Sequence, residues 1–220
     1  LKLGLIILAA GLSRRMGLLT PKPFLDLCGK LVIFHSLDFF SSLSYVADIV
    51  VVANEIYHPL FPSNIKLALP GKERQDSLRN GLEKLSDSCD WVISHDAARP
   101  FFYESDVRKL IDNRGGFSAL ALGSKVKNSL KIADANGILK KSIDRSTAWE
   151  VFTPQLIEYT LLKKGLDYIQ KHEILCTDEL SIAELYNANS KIIETSNPNI
   201  KITKPGDLEL VRMIIDSTKG

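Results

Sequence analysis

Cysteine is scarce in this chain of 220 residues, and Cys28, Cys89 and Cys176 stand far apart with no C-x-x-C spacing. Neither a disulfide framework nor a cysteine-based zinc site is suggested, and all three read as ordinary thiols. Histidine is as thin: His35, His58, His95 and His172 are scattered, without H-E-x-x-H or other ligand spacing, so no all-protein transition-metal site is expected. Excess charge of one sign is also missing. The 28 Lys and Arg against 26 Asp and Glu leave +2, too little for general nucleic-acid binding, so no nucleic acid polymer is expected as a partner. No apolar run approaches the roughly 20 residues that span a bilayer, and the N-terminus lacks a signal-peptide pattern. A protein without membrane contact is expected, cytoplasmic, or in the plastid if the source is plant-type. No initial methionine is present, so the first few residues are expected to be missing.

What is present is an ordinary globular composition, 45% hydrophobic and 25% charged, enough for one main domain over residues 1–220. The chain is organised around its start. Leu5-Ile6-Ile7-Leu8-Ala9 is short, apolar and followed by small residues, as in a buried parallel strand. Ala9, Ala10 and Gly11 then let backbone N–H groups approach a ligand closely, and such groups cradle phosphate oxygens. Arg14, Arg15 and Lys22 add three cations within nine positions, which suits a triphosphate. The plainer reading makes the arginines solvated surface charges and Gly11 a turn residue. The loop matches neither G-x-x-x-x-G-K-[ST] nor G-x-G-x-x-G, which disfavours an ATPase or a dinucleotide oxidoreductase.

Helical spacing of Ile33, Phe34, Leu37 and Phe40 predicts a helix over 31–40, and apolar runs at 48–53 and 65–69 predict two more buried strands. Strands alternating with helices argue for right-handed βαβ units with ligands at the carboxyl ends of the strands. The expected class is α/β, a Rossmann-like, mainly parallel sheet with helices on both faces. A second loop, Pro70 to Leu78, sits at the same edge; Gly71 permits close approach, and Arg74 and Ser77 share one side of the first helical turn. A capped helix start with a solvated arginine explains it equally well. The strand from Trp91 ends in His95-Asp96-Ala97-Ala98-Arg99-Pro100. Asp96 is where a Mg²⁺-nucleotide site needs a carboxylate, and His95 reads as a core histidine satisfied by a backbone group.

Phe117 to Leu122 reads as another core strand. Alternating residues around Asn136-Gly137 predict a β-hairpin, read as an arm over residues 125–148 because it carries many lysines. Leu156 to His172 has the spacing of a long helix. Thr177-Asp178-Glu179 opens a short one, where the macrodipole alone accounts for Glu179. Residues 191–194 form a further strand, and Pro205 begins a helical turn.

The first loop resembles the L-A-A-G-x-S-x-R-M-G…P-K signature of nucleotidyltransferases. Joined to Gly71-x-x-Arg74-x-x-Ser77, to His95-Asp96-Ala97-Ala98-Arg99-Pro100 and to the run Asn199 to Leu208, it resembles the 2-C-methyl-D-erythritol 4-phosphate cytidylyltransferase family over essentially the whole chain. Two positions depart from that pattern: Pro70, where glycine is usual, and Ser129, where threonine is. The resemblance implies transfer of CMP from CTP to a sugar-alcohol phosphate, with Mg²⁺ as cofactor and Asp96 as its candidate protein ligand. It implies Arg15 and Lys22 as catalytic cations and Arg145 and Lys201 as holders of the acceptor phosphate. Ala9, Ala10, Gly11, Gly71, Arg74, Ser77 and Asp96 would meet the nucleotide. Asp96, Ala97, Arg99, Ser129, Thr153, Thr177 and Asp178 would meet the acceptor. It also implies a homodimer built through the arm. A ribitol 5-phosphate cytidylyltransferase shares nearly all these motifs, and a catalytically inactive nucleotide-binding relative is the alternative from outside the enzymes. A molybdenum-cofactor nucleotidyltransferase accounts for the first motif but not the later ones.

Overall fold

The computed structural model describes residues 1–11 and 20–218. Strand β1 (Leu3–Leu8) is buried along its whole length, as its unbroken apolar sequence requires. A small ribbon follows, β2 (Asp26–Leu27) and β3 (Lys30–Leu31), turned by Cys28 and Gly29, both at positive φ. It leads into α1 (Val32–Ser41), β4 (Val46–Val52), β5 (Lys66–Ala68), α2 (Arg74–Lys84) and β6 (Trp91–Asp96). Beyond these come α3 (Glu104–Asp112), β7 (Ala119–Lys125), the hairpin β8 (Leu130–Ala133) and β9 (Leu139–Ile143), and β10 (Trp149–Glu158). The chain closes with α4 (Tyr159–His172), α5 (Glu179–Glu184), β11 (Ser190–Glu194) and α6 (Pro205–Thr218).

Seven strands form one sheet in the order β11-β7-β10-β6-β1-β4-β5. All its pairings are parallel except those of β10, which runs against both β6 and β7. The expected mainly parallel sheet is therefore present, and it is covered on both faces. Leu5 and Ile7 of β1 pack with Ile33, Leu37 and Phe40 of α1 and Val107 and Leu110 of α3. Ile6 and Leu8 turn the other way, toward Leu78 and Leu82 of α2, Leu162 and Leu166 of α4, and Ile182 of α5. Helix α2 lies especially close to the sheet, because a Cβ on its Gly81 would fall 2.6 Å from Ile6 Cγ2 and 2.9 Å from Val52 Cγ2.

One sequence expectation changes here, and one helix, α3, is added to those expected. The long helix begins at Tyr159 rather than Leu156, because Leu156 and Ile157 are paired in register with Ile93 and Val92 of β6. Those two residues bury on opposite faces of the sheet, and a strand apolar on both faces has no period that separates it from a buried helix.

The hairpin forms around Asn136-Gly137 as expected. Asp134 Oδ1 accepts the N–H groups of Asn136 and Ile138, each at 3.0 Å, and Gly137 adopts φ +80°. It makes its own two-stranded sheet, away from the central one.

Candidate active site

The carboxyl ends of β6, β1, β4 and β5 lie side by side at one edge. Leu8 is in register with Asp96, Ala9 N–H donates to Val52 O at 2.9 Å, and Ala97 N–H donates to Leu8 O at 3.0 Å. Buried Ala9 and half-buried Ala10 thus stand beside Asp96, with Gly11 exposed next to them. Arg14 and Arg15 lie in residues 12–19, outside the described residues. Lys22 opens a single 3-10 turn, Lys22–Phe24, and is 9% exposed. Phe24 anchors that turn by stacking on Tyr57, ring centroids 3.6 Å apart.

The second loop is built on itself. Gly71 N–H donates to Ser77 Oγ at 3.0 Å, Ser77 Oγ donates to Glu73 O at 3.2 Å, and Asp76 accepts the Glu73 N–H at 2.9 Å. A Cβ at residue 71 would come 2.2 Å from Asp76 Cβ, so glycine is required by the close approach. Gly71 and Ser77 are brought together, while Arg74 turns away from them toward β6.

Asp96 is the hub. Its Oδ1 lies 3.3 Å from Arg74 Nε, its Oδ2 lies 2.8 Å from Lys201 Nζ and 3.7 Å from Arg99 Nε, and its backbone N–H donates to Thr153 Oγ1 at 3.0 Å. Burial opposes the charged carboxylate, yet Arg74, Lys201 and Arg99 outweigh burial and hold its pKa well below the usual carboxylate range. Burial also disfavours the Arg74 cation, but Glu179 and Asp96 more than compensate and raise its pKa. Arg99 is shifted down by burial, with Asp96 opposing, and its Nη1 donates to Asn199 O and Oδ1 at 2.9 and 3.0 Å. Asn199 Nδ2 in turn donates to Thr153 O at 2.9 Å. His95 is the core histidine expected: fully buried, its Nε2 3.0 Å from Arg99 O, and pushed down to about 4 by burial.

The structure therefore joins Arg74, Asp96, Ala97, Arg99, Thr153 and Lys201 from four separate stretches of sequence. Thr177 is exposed and Asp178 caps α5, accepting Ser181 N–H at 2.9 Å. Ser129 and Arg145 lie on the exposed arm, and Arg145 Nη1 donates back to Lys127 O at 3.0 Å. Glu179 is different from its sequence reading as a dipole-favoured carboxylate. It is wholly buried, with Oε1 3.1 Å and Oε2 3.4 Å from the two terminal nitrogens of Arg74.

Mg²⁺ does not fit as an ion held by these side chains alone. Both oxygens of Asp96 are engaged by cations, and among the described residues no three His, Cys, Asp or Glu side chains gather as a cation cage.

A mainly parallel sheet with small-residue and glycine loops at its carboxyl edge, and one acid set among three cations, is the setting of an α/β nucleotidyltransferase, the class to which the family match assigns the chain. The family model for 2-C-methyl-D-erythritol 4-phosphate cytidylyltransferase matches residues 3–217. The chain belongs to that family. It is 38% identical to the chloroplastic enzyme of that name from Oryza sativa over 96% of this chain and 73% of the relative. It is 32% identical to the one from Chlamydia pneumoniae, over 98% of this chain and 100% of the relative. The crystal structure of the Francisella tularensis protein of the same name superposes with a TM-score of 0.84 at 28% identity, covering 96% of this chain and 99% of that one. Among the described residues no helix is long and apolar enough to cross a membrane.

Proposed function

We infer that this chain transfers CMP from CTP to 2-C-methyl-D-erythritol 4-phosphate, giving 4-diphosphocytidyl-2-C-methyl-D-erythritol and pyrophosphate, a step toward isoprenoid precursors by the non-mevalonate route. The observation that carries the reading is the cluster of Lys201, Arg99 and Arg74 around Asp96, set beside the loop after β1. An oxygen of the acceptor phosphate attacks the α-phosphorus of CTP in line, the bond from that phosphorus to the bridging oxygen breaks, and pyrophosphate leaves. No covalent enzyme intermediate is needed, so the protein works by positioning and by meeting charge as it develops.

In this reading Arg15 and Lys22 meet the charge on the α-phosphate and the leaving group. The backbone at Ala9, Ala10, Gly11 and Gly71, with Ser77, fits the nucleotide. Lys201 and Arg145 hold the acceptor phosphate, since two cations both neutralise it and aim one oxygen. Arg99, Thr177 and Asp178 meet the polyol, joined by Ser129 from the arm, whereas Asp96, both of whose oxygens are engaged by cations, and the buried Ala97 and Thr153 frame the site rather than touch the acceptor. Residues 125–148 serve as the arm of a single domain over 1–220 and reach the partner of a homodimer. Mg²⁺ accompanies the triphosphate as part of the nucleotide substrate, where it offsets phosphate charge.

A pyrophosphate-release assay across four nucleotides and two acceptors tests this. Turnover is expected with CTP and 2-C-methyl-D-erythritol 4-phosphate. Preference for ribitol 5-phosphate would replace the acceptor, and CTP binding by calorimetry without turnover on either acceptor would make the chain a binding protein.

A further inference from the structure

We propose that Glu179 is a positioning residue of the acceptor site: its carboxylate clamps Arg74, Arg74 fixes Asp96, and Asp96 aims Lys201 at the phosphate of the sugar alcohol. The proposal rests on the reading of Lys201 as an acceptor-phosphate ligand. A carboxylate that served only the dipole of α5 would gain as much from the solvent-facing side of the first turn. Glu179 instead points inward with no exposure, and both of its oxygens face the fork of Arg74, at 3.1 and 3.4 Å. The third edge of the same planar guanidinium, Nε, is 3.3 Å from Asp96 Oδ1. One rigid cation thus spans two carboxylates from different elements, a geometry that an arginine fork can hold and an ammonium cannot.

The charge count gives the pairing its purpose. Arg74, Arg99 and Lys201 face Asp96 and Glu179, so the five groups carry a net +1. Without Glu179, Arg74 would have only Asp96 as counter-ion in a low-dielectric setting and would compete with Lys201 for it. With Glu179, Asp96 Oδ2 is left for Lys201 at 2.8 Å, and Lys201 is the most exposed cation of the set, its side chain 39% accessible. All donors of Arg74 that have partners here go to carboxylates, which assigns it to positioning rather than to the nucleotide.

The backbone does not depend on this ion pair. Glu179 N–H donates to Gln155 Oε1 at 3.0 Å, and Gln75, beside Arg74, donates to Ile174 O at 2.7 Å and accepts Cys176 N–H at 2.6 Å. Helix α2 is therefore tied to the loop before α5, and the start of α5 to β10, by neutral bonds that Glu179→Gln leaves in place.

The experiment compares wild type, Glu179→Gln, Lys201→Ala and the double variant, with KM and kcat measured for each substrate. Glu179→Gln is expected to raise the KM for the sugar phosphate about tenfold and that for CTP less than about twofold. Because Glu179 acts through Lys201, the double variant should lose no more acceptor kcat/KM than Lys201→Ala alone. Additive losses, or a CTP KM that rises as much as the acceptor KM, would overturn the proposal. An unchanged acceptor KM in Lys201→Ala would instead remove the acceptor-phosphate reading itself, and this inference with it. Should Glu179→Gln fail to fold by circular dichroism, Arg74→Lys keeps the cation without the fork and is expected to give the same split between the two KM values. Equal effects on both substrates there would overturn the proposal as well.

Discussion

Lys201 Nζ sits 2.8 Å from Asp96 Oδ2, so a residue just before α6 is fastened to the end of a central strand 105 positions earlier. Lys201, the proposed acceptor cation, is thereby fixed to the same edge that carries the loops proposed to hold the nucleotide.

Lys22 is nearly buried in a turn anchored by Phe24, and its ammonium is assigned to charge present mainly in the transition state. Lys22→Ala should lower kcat by about two orders of magnitude or more, comparable to losing one preorganised donor, with little change in CTP affinity. Steady-state kinetics with calorimetry checks this, and unchanged turnover would strike Lys22 from the catalytic group.

The arm exposes Ile132, Ile138 and Leu139 at 46, 60 and 59% of their surface. An isolated two-stranded hairpin is marginal in water, so this one should dock on a second copy in a two-fold dimer. Analytical ultracentrifugation at assay concentration should find the dimer, and Ile138→Ser with Leu139→Ser should weaken it. A fully active monomer would defeat the expectation.

Arg145 lies on the arm whereas Lys201 sits at the main sheet's edge, so one acceptor phosphate is expected to draw one cation from each subunit. Inactive Arg145→Ala and inactive Lys201→Ala proteins, once mixed, form dimers with one doubly defective site and one intact site. Activity should return to about half of wild type per mixed dimer if the sites act independently. No recovery after subunit exchange, verified by mass spectrometry, would put both residues in one subunit's site or take one of them out of it.

Acid should destabilise the fold through His95. Burial lowers its folded pKa to about 4 from 6.5, so between those values the unfolded chain binds the extra proton. Stability is whole above pH 6.5 and falls as pH drops toward 4, by about 3 kcal/mol from this group. Asp96, depressed in the folded state, adds its own loss at still lower pH. Urea titrations of wild type and His95→Gln across pH 4 to 7 should give a flatter profile for the variant; equal slopes would assign the acid sensitivity elsewhere.

The sequence makes β1, β4 and β6 readable because each is a short apolar run ended by small or acidic residues. Strand β10 is not readable, since its antiparallel pairing lies in partners far along the chain and its apolar end continues straight into the helix pattern of α4. In the site, Asp96 is legible as an acid at a strand terminus, and His95 as a core residue. Glu179 is hidden by a sufficient local explanation: an acid at a helix start needs no partner, and its actual partner, Arg74, is 105 residues away. Local signals reach only as far as the turn that carries them.

The missing side chain of Gly81 decides how near α2 rests on β1 and β4, because an added Cβ would fall 2.6 Å from Ile6 Cγ2 and 2.9 Å from Val52 Cγ2. The same helix carries Arg74 and Ser77 at its other end, so helix-to-sheet spacing is the calibration of the whole site. A methyl group added there would lift Arg74 from Asp96 as a wedge lifts a lever. The geometry of the Arg74–Asp96 pair is thus set partly from the interior, at the contact between helix and sheet.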